Sequence, residues 1–296
     1  MSRIDLRPKH LIILDAGHGI ETPGKRSPVW ADGRQLLEWA FNRDLARRIQ
    51  QGLNDLGYDA RLLVPEDTDL PLKARLKRAR DMVEEHKGHG GIAPNRVLVS
   101  VHSNASTGKP TPKEPTPNPS LKGGELNPAA NLADNTAAAN TAGGGLPLFQ
   151  EGAGGEALRT GGSPLTEEEE EFFRVTPSGW ECFMQPSSYN SRELAGLLCR
   201  KALEQLPEQF PIRTPKGNLR NIIHNNTSRR WEGPSTWGKT QKLFITDNAP
   251  CTAVLTENLF MDNKRDCGYL LSDDGRDTLA QIHIDALDEF LAHNND

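Results

Sequence analysis

The sequence lacks any apolar run long enough to cross a membrane. A membrane-spanning helix needs about 20 consecutive apolar residues, and only 35% of the 296 residues are hydrophobic. The first residues, Met1 to Lys9, also lack the apolar core of a secretory signal. We therefore expect a chain that neither spans a membrane nor starts with an export signal.

Closely spaced cysteine pairs and an excess of positive charge are absent as well. The cysteines are Cys182, Cys199, Cys251 and Cys267, and no two have the Cys-x-x-Cys spacing that structural zinc sites usually use. Cys182 and Cys251 lie in strand patterns and Cys199 on an apolar helix face, so we expect buried free thiols. A net charge of −5 argues against nucleic acid as the main partner.

The first third of the sequence alternates between strand and helix patterns. Strands are predicted at residues 10–16, 58–64 and 96–103, and amphipathic helices at residues 35–56 and 72–83. Strands that alternate with helices connect by right-handed crossovers and form a largely parallel sheet. The sequence therefore predicts an α/β fold.

This alternation stops after the third strand. Residues 105–165 are rich in Pro, Ala, Asn and Gly, and they contain almost no large apolar side chains. Such a segment cannot bury enough apolar surface to offset its ordering entropy. A functional lid is the alternative, but a lid would need anchoring aromatic residues. We predict one domain over residues 8–292 that is interrupted by a disordered, low-complexity insertion at residues 106–170.

Ordered elements are predicted again after the insertion. They are a strand at residues 179–184, a helix with Ser191 as N-cap, strands at residues 243–246 and 251–256, and a closing helix at residues 279–291. Residues 209–240 are rich in Asn, Arg, Pro and Trp, and we expect them to form a surface loop.

Three apolar strand patterns run directly into a residue that can bind a metal or transfer a proton. These residues are His18, His102 and Glu257. In open α/β sheets, ligands bind in the crevice beyond the carboxyl ends of the strands. We therefore expect the three side chains to face one pocket.

Each of these residues also has an ordinary structural interpretation. His18 would be a turn histidine, and His102 would be a half-buried histidine at a strand end. Glu257 would form an ion pair with a nearby arginine such as Arg192 or Arg265.

Glu38, at the start of the first helix pattern, adds a fourth candidate. Taken alone, it is a first-turn carboxylate that the helix dipole favours. Together with His18 and His102, it completes a set of two histidines and one carboxylate with one open position, which is typical of catalytic zinc. A buried carboxylate at Glu257 is costly unless it has a partner or a function, and a general base for a zinc-bound water provides one.

At these residues the chain resembles the zinc-dependent N-acetylmuramoyl-L-alanine amidases, the amidase type 3 family. The matching segments are residues 14–19, 37–45, 101–105 and 250–263, and they follow the family's order. The resemblance extends over roughly residues 10–104 and 176–292.

The resemblance implies a single α/β domain with a twisted mixed sheet of about six strands between helices. It implies Zn²⁺ as the cofactor, with His18, Glu38 and His102 as ligands and Glu257 as the catalytic glutamate. The implied reaction is hydrolysis of the amide that joins the lactyl group of N-acetylmuramic acid to the L-alanine of the peptidoglycan stem.

Substrate contacts are predicted only from polar character and position in loops. Arg26, Asn104, Arg220 and Asn225 are expected to lie near the crevice and to contact a charged stem peptide. The alternative for each is an ordinary surface residue.

Two departures from the family bear on partners and location. The family often has a short helix after the position of His102, which in some members blocks the site until an activator protein removes it, whereas this chain has the insertion. Family members act in the periplasm or cell envelope, yet this chain starts without a signal. A misplaced or trimmed start, another export route, and release by lysis, as with a phage lysin, all stay open.

Two further function classes stay open at this point. One is a zinc peptidase or deacylase that acts on a different amide, and the other is a cell-wall binding module that has lost catalysis. The presence of all four candidate residues argues against lost catalysis.

Overall fold

A computed structural model describes residues 10–30, 32–86, 96–106, 177–220 and 238–293. The elements of these residues are, in order, β1 (Leu11–Ala16), α1 (Glu38–Asp55), β2 (Asp59–Leu62), α2 (Leu72–Glu85), β3 (Arg96–Asn104), β4 (Trp180–Met184), α3 (Tyr189–Gln205), β5 (Ile212–Thr214), β6 (Gly217–Asn218), α4 (Phe244–Asp247), β7 (Thr252–Phe260), α5 (Lys264–Leu271) and α6 (Asp273–His293). The predicted insertion at residues 106–170 lies outside the described residues except for Ser106.

The described strands form one mixed sheet in the order β2-β1-β3-β7-β4-β5-β6. The neighbours from β2 to β7 run parallel, whereas β4 runs antiparallel to β7. The predicted α/β fold with a mostly parallel sheet flanked by helices is confirmed. The described sheet has seven strands, one more than the number that the resemblance implied.

Side-chain alternation along the strands places an apolar layer on each face of the sheet. In β3, Val97, Val99 and Val101 belong to the larger cluster, which also contains the apolar residues of α1, α3 and α6. Leu98 belongs to the smaller cluster on the other face, with residues of α2 and α4. Both faces of the central strands are therefore covered, as expected of parallel strands with continuous apolar runs. No helix of the described ranges combines the length and the apolar character needed to cross a membrane.

Three predictions for the second half of the chain are wrong. The N-cap of α3 is Ser188, whose hydroxyl accepts a hydrogen bond from the backbone of Ser191, so Ser191 lies inside the helix. Residues 243–246 were predicted as a strand but contribute to the short helix α4, because an apolar run this short fits either element.

The third wrong prediction concerns the surface loop at residues 209–240. Its first part contains the strands β5 and β6, which pair antiparallel around a turn at Pro215 and Lys216. Ile212 of β5 is fully buried in the larger cluster, so this part of the segment belongs to the core.

The cysteine prediction is confirmed for three of the four residues. All four cysteines are free, and Cys182, Cys199 and Cys267 are buried, whereas Cys251 is half-buried. Burial raises the pKa of the Cys199 thiol to about 12, so this thiol stays protonated near neutral pH.

The chain on either side of residues 107–176 is held by two neighbouring carboxylates. The backbone and hydroxyl of Ser106 donate to Asp262, and Ser178 and Gly179 donate to Asp266. Both flanks are thus attached just after β7. A single domain over residues 8–292 stays a prediction, and this arrangement is compatible with it.

Candidate metal centre and active site

His18 follows β1 in a backbone conformation that is unusual for a histidine. Its φ is +64°, in the left-handed region. Its carbonyl accepts hydrogen bonds from Arg43 and Arg75, which hold this conformation from two sides. The preceding residue must be glycine, because a Cβ at Gly17 would lie 2.1 Å from Cε1 of His102. The turn therefore brings the two histidines together at the carboxyl ends of β1 and β3.

Glu38 begins α1 and lies between the two histidines. Its carboxylate is only 1% exposed, and Oε1 lies 3.3 Å from His18 Nε2 and 3.2 Å from His102 Nδ1. Its Oε2 is buried and has no hydrogen-bond partner among the described residues, and the Lys25 ammonium is 3.8 Å from it. A buried carboxylate oxygen that lacks a partner is costly, so the geometry calls for a cation at this point.

The donor set of His18, Glu38 and His102 fits a metal ion. One ligand atom from each residue lies within 4.8 Å of the other two. The two imidazole rings are perpendicular, with centroids 5.0 Å apart, so their nitrogens converge on the carboxylate instead of stacking. The structure thus brings together the three residues that were predicted as ligands.

Electrostatics favour a charged Glu38 beside His102. Burial alone would raise the pKa of Glu38, but the hydrogen bonds with His102 and His18 outweigh it and hold the pKa well below its usual range. Burial disfavours the protonated His102, yet the hydrogen bond to Glu38 and the charge of Glu257 raise its pKa. The site therefore attracts positive charge, whether a proton or a metal ion.

Glu257 lies on β7 directly opposite His102 on β3. Its Oε2 is buried and has no hydrogen-bond partner among the described residues. Within those residues no ion pair joins it to Arg192 or Arg265, and Arg265 instead contacts Ser178 and Asp266. The alternative of a carboxylate paired with either arginine is therefore wrong.

The surroundings of Glu257 tune its basicity. Burial raises its pKa to about 7, the nearby His102 opposes this rise, and the Glu38 carboxylate adds to it. A carboxyl group of this kind can both accept and release a proton near neutral pH, as a general base and acid must.

A buried polar network that was not predicted from the sequence supports the turn at His18. Arg75 of α2 donates to Asp15 at 2.6 Å and to the carbonyl of Ala16 at 2.7 Å, and Ser100 donates to the same carboxylate. The sequence does contain an indication of this network, because Arg75 lies within the apolar stripe of its helix, next to Leu76. An arginine in that position requires a buried partner.

Replacing Arg75 by Met is expected to lower the free energy of unfolding by about 3 kcal/mol, because Asp15 then remains buried without its cation. Urea denaturation measures this change. The matched control is Lys77→Met on the same helix, where the ion pair with Asp81 is exposed and the expected change is below about 1 kcal/mol. Equal losses in the two variants would contradict a structural role for the buried pair.

Two of the four residues predicted to contact the substrate lie beside the candidate site. Arg26 is exposed, and its backbone forms a bridge with Leu37, one residue before Glu38. Asn104 follows His102 by two residues, and its side chain donates to Glu181 and accepts from Ala105. Both therefore lie beside the candidate site.

The other two predicted contacts are not placed at the site. The guanidinium of Arg220 donates to the carbonyls of Leu203, Leu206, Pro207 and Phe210, which gives it a structural role at the end of α3. Asn225 lies outside the described residues.

The comparisons with known proteins agree with this geometry. Residues 12–126 match the family model described as N-acetylmuramoyl-L-alanine amidase. This match includes His18, Glu38 and His102. A comparison with curated proteins gives no match.

Several solved structures of amidases share the fold. The catalytic domain of the N-acetylmuramoyl-L-alanine amidase CwlV from Bacillus (Paenibacillus) polymyxa var. colistinus is 17% identical, with a TM-score of 0.52 over 96% of this chain and 98% of that chain. The N-acetylmuramoyl-L-alanine amidase from Clostridium difficile 630 is 14% identical, with a TM-score of 0.52 over 96% and 98%. The N-acetylmuramyl-L-alanine amidase from Mycobacterium smegmatis is 13% identical, with a TM-score of 0.51 over 97% and 99%.

At these identities the structural likeness establishes the fold, and the family model carries the assignment. Residues 12–126, which include His18, Glu38 and His102, thus match the N-acetylmuramoyl-L-alanine amidase family, and the chain shares the fold of solved amidases.

Proposed function

We propose that this chain hydrolyses the amide bond between the lactyl group of N-acetylmuramic acid and the L-alanine of the peptidoglycan stem. The observation that carries the proposal is the pairing of His102 with Glu257 across β3 and β7. This pairing supports the proposal, because Glu257 then lies next to the group of His18, Glu38 and His102, which could hold a metal ion. Since peptidoglycan is the substrate, the place of action is the cell envelope.

The cofactor is Zn²⁺, held by His18, Glu38 and His102. Two imidazoles and one carboxylate are a common ligand set of catalytic zinc and leave a position open for water or substrate. When bound, zinc supplies a Lewis acid that polarises the scissile carbonyl and lowers the pKa of water towards ~7. The Oε2 of Glu38 supports this assignment, because among the described residues this buried acceptor has no hydrogen bond and the Lys25 ammonium is 3.8 Å away.

Glu257 carries the proton between the two halves of the reaction. With a pKa of about 7, set by burial, its carboxylate accepts a proton from the attacking water. The resulting carboxylic acid then donates that proton to the nitrogen of the leaving L-alanine, so that the product is a neutral amine. The buried Oε2 has no competing hydrogen bond within the described residues, so this oxygen is available for the transfer.

Arg43 and Arg75 act through the backbone and not on the substrate. Both donate to the carbonyl of His18 and so fix the direction of its imidazole. This leaves His18 with little freedom to move out of the ligand set.

Mass spectrometry of peptidoglycan digested by the protein tests the proposed reaction. We expect intact glycan strands and free stem peptides with a new L-alanine amino terminus. The control digestion uses the Glu257→Gln variant, which is expected to release no such peptides in the same time. Cut glycosidic bonds, or cuts only between stem residues, would overturn the proposal.

A further inference from the structure

A row of polar side chains continues from the candidate active site across the sheet. Glu257 of β7 pairs with His102 of β3 on one side and with Glu181 of β4 on the other, and Glu181 pairs with Arg213 of β5. Directly paired residues of neighbouring strands project from the same face of a sheet. The four side chains therefore share one face.

Glu181 is nearly buried and is held by two cations. Its Oε1 accepts from Arg213 Nε at 2.5 Å and lies 2.8 Å from Lys239 Nζ, and its Oε2 accepts from Asn104 at 3.4 Å. The side chains of Arg213 and Lys239 are 39% and 24% exposed, compared with 6% for Glu181. Two partly exposed positive charges thus surround one buried negative charge, and one positive charge is left without compensation within this cluster.

Lys239 lies on the same side of β4 as Arg213 and on the same face. It forms a parallel bridge with Phe183, two residues after Glu181 along the strand. Residues two apart in a strand share a face, so the two cations form a pair. We call Arg213 and Lys239 the cation pair.

Aromatic rings orient the cation pair. The Arg213 guanidinium lies 5.4 Å from the centroid of Phe260, and the Lys239 ammonium lies 5.8 Å from that of Phe183. Such contacts stabilise cations and restrict their side chains. Within the described part of the chain, the hydrogen bond of the Arg213 guanidinium is made through Nε. Its two terminal nitrogens therefore retain donors for a further acceptor.

The distance from Glu257 to the cation pair corresponds to a short stretch of peptide. Neighbouring strands are ~4.8 Å apart, so two strands separate the backbones of Glu257 and Arg213 by ~10 Å. An extended peptide advances ~3.4 Å per residue. A substrate peptide that has its scissile bond at Glu257 and runs across β4 therefore reaches Arg213 with the side chain of its second residue or with its third residue. In the opposite direction this path is occupied by His102.

We propose that the cation pair of Arg213 and Lys239 is a subsite that binds a carboxylate of the stem peptide, on the second or third residue after the scissile bond. This inference rests on the proposed amidase function, in which the leaving group is the amino end of a peptide. The guanidinium donates to the carboxylate in charge-assisted hydrogen bonds, and the ammonium adds a second positive charge. Glu181 positions both cations and is itself shielded from the substrate.

The test compares two substrates with the zinc-loaded full chain. One is a muropeptide with free carboxylates on its second and third stem residues, and the other is the same muropeptide with these carboxylates converted to primary amides. Arg213→Gln and Lys239→Gln are each expected to raise KM for the free acid by ~10-fold, the scale of one charge-assisted hydrogen bond. For the amide substrate, kcat and KM are expected to change by less than about twofold. The control is Arg78→Gln, whose ion pair with Glu66 is on the surface, and it should change neither substrate.

The ratio of kcat/KM for the free acid to kcat/KM for the amide, measured in one variant, does not depend on how much of that variant is folded. A wild type that cleaves neither muropeptide overturns the amidase proposal, and the subsite with it. If both variants cleave the two muropeptides with the same ratio of kcat/KM as the wild type, the subsite is overturned and the amidase proposal stands. An equal decrease of kcat/KM for the two substrates also overturns the subsite, since it would show that the cation pair only compensates the charge of Glu181.

Discussion

Replacing Glu257 by Gln is expected to reduce turnover of muropeptides by ~100-fold or more, the usual scale of general-base catalysis. The amide has nearly the same shape as the carboxylate but cannot accept the proton of the attacking water. Zinc content and KM should stay close to the wild-type values, because the proposed ligands His18, Glu38 and His102 lie outside β7. Steady-state kinetics together with metal analysis of the same preparation measure both quantities.

The matched control for this variant is Glu84→Gln. Glu84 is an exposed carboxylate on α2, so its replacement removes one negative charge without touching the site and should leave turnover unchanged. Undiminished hydrolysis by the Glu257 variant would show that another group handles the proton. Loss of zinc from that variant would instead make Glu257 a ligand.

The second large effect is expected from removing a metal ligand. The wild type should bind one zinc per chain, and His102→Ala should lose most of this zinc and the activity that depends on it. The fold should persist, because Val97, Val99 and Val101 of β3 pack in the larger cluster and Leu98 packs in the smaller one. Metal analysis and circular dichroism of the purified variant measure the two properties separately.

His86→Ala provides the control for the ligand variants. Its backbone carbonyl accepts from Arg96, the first residue of β3, so it lies at the opposite end of that strand from His102. This variant should keep its zinc. Full zinc occupancy in both His18→Ala and His102→Ala would be incompatible with the proposed ligand set.

The parts of the fold that were predictable depend on local periodicity. The apolar runs of β1 and β3 and the helical spacing in α1 appear in the sequence itself, and the structure contains all three elements. The convergence of His18, His102 and Glu257 was also predictable, because the carboxyl ends of parallel strands meet at one edge.

Register between distant segments was not predictable. β4 lies next to β7 and runs antiparallel to it, which places Glu181 beside Glu257 although 75 positions separate them in the sequence. No local pattern encodes this pairing, so the charged row across the sheet could only be seen in the structure. The position of the Arg220 side chain was not predicted for the same reason, since tertiary packing determines its partners at the end of α3.

The turn at Gly17 and His18 has a consequence for how the proposed metal ion would bind. The Gly17 amide donates to the carbonyl of Val101, and two guanidinium groups hold the carbonyl of His18, so the backbone itself sets the spacing of the two imidazoles. Little conformational freedom then remains to be lost when an ion enters, and such preorganisation favours binding. The site is therefore formed before the ion binds, and the ion can leave and return without a change of fold. A chelator should therefore remove the metal ion without unfolding the protein. Added zinc should then restore activity as soon as it is mixed with the protein, because no refolding step is needed.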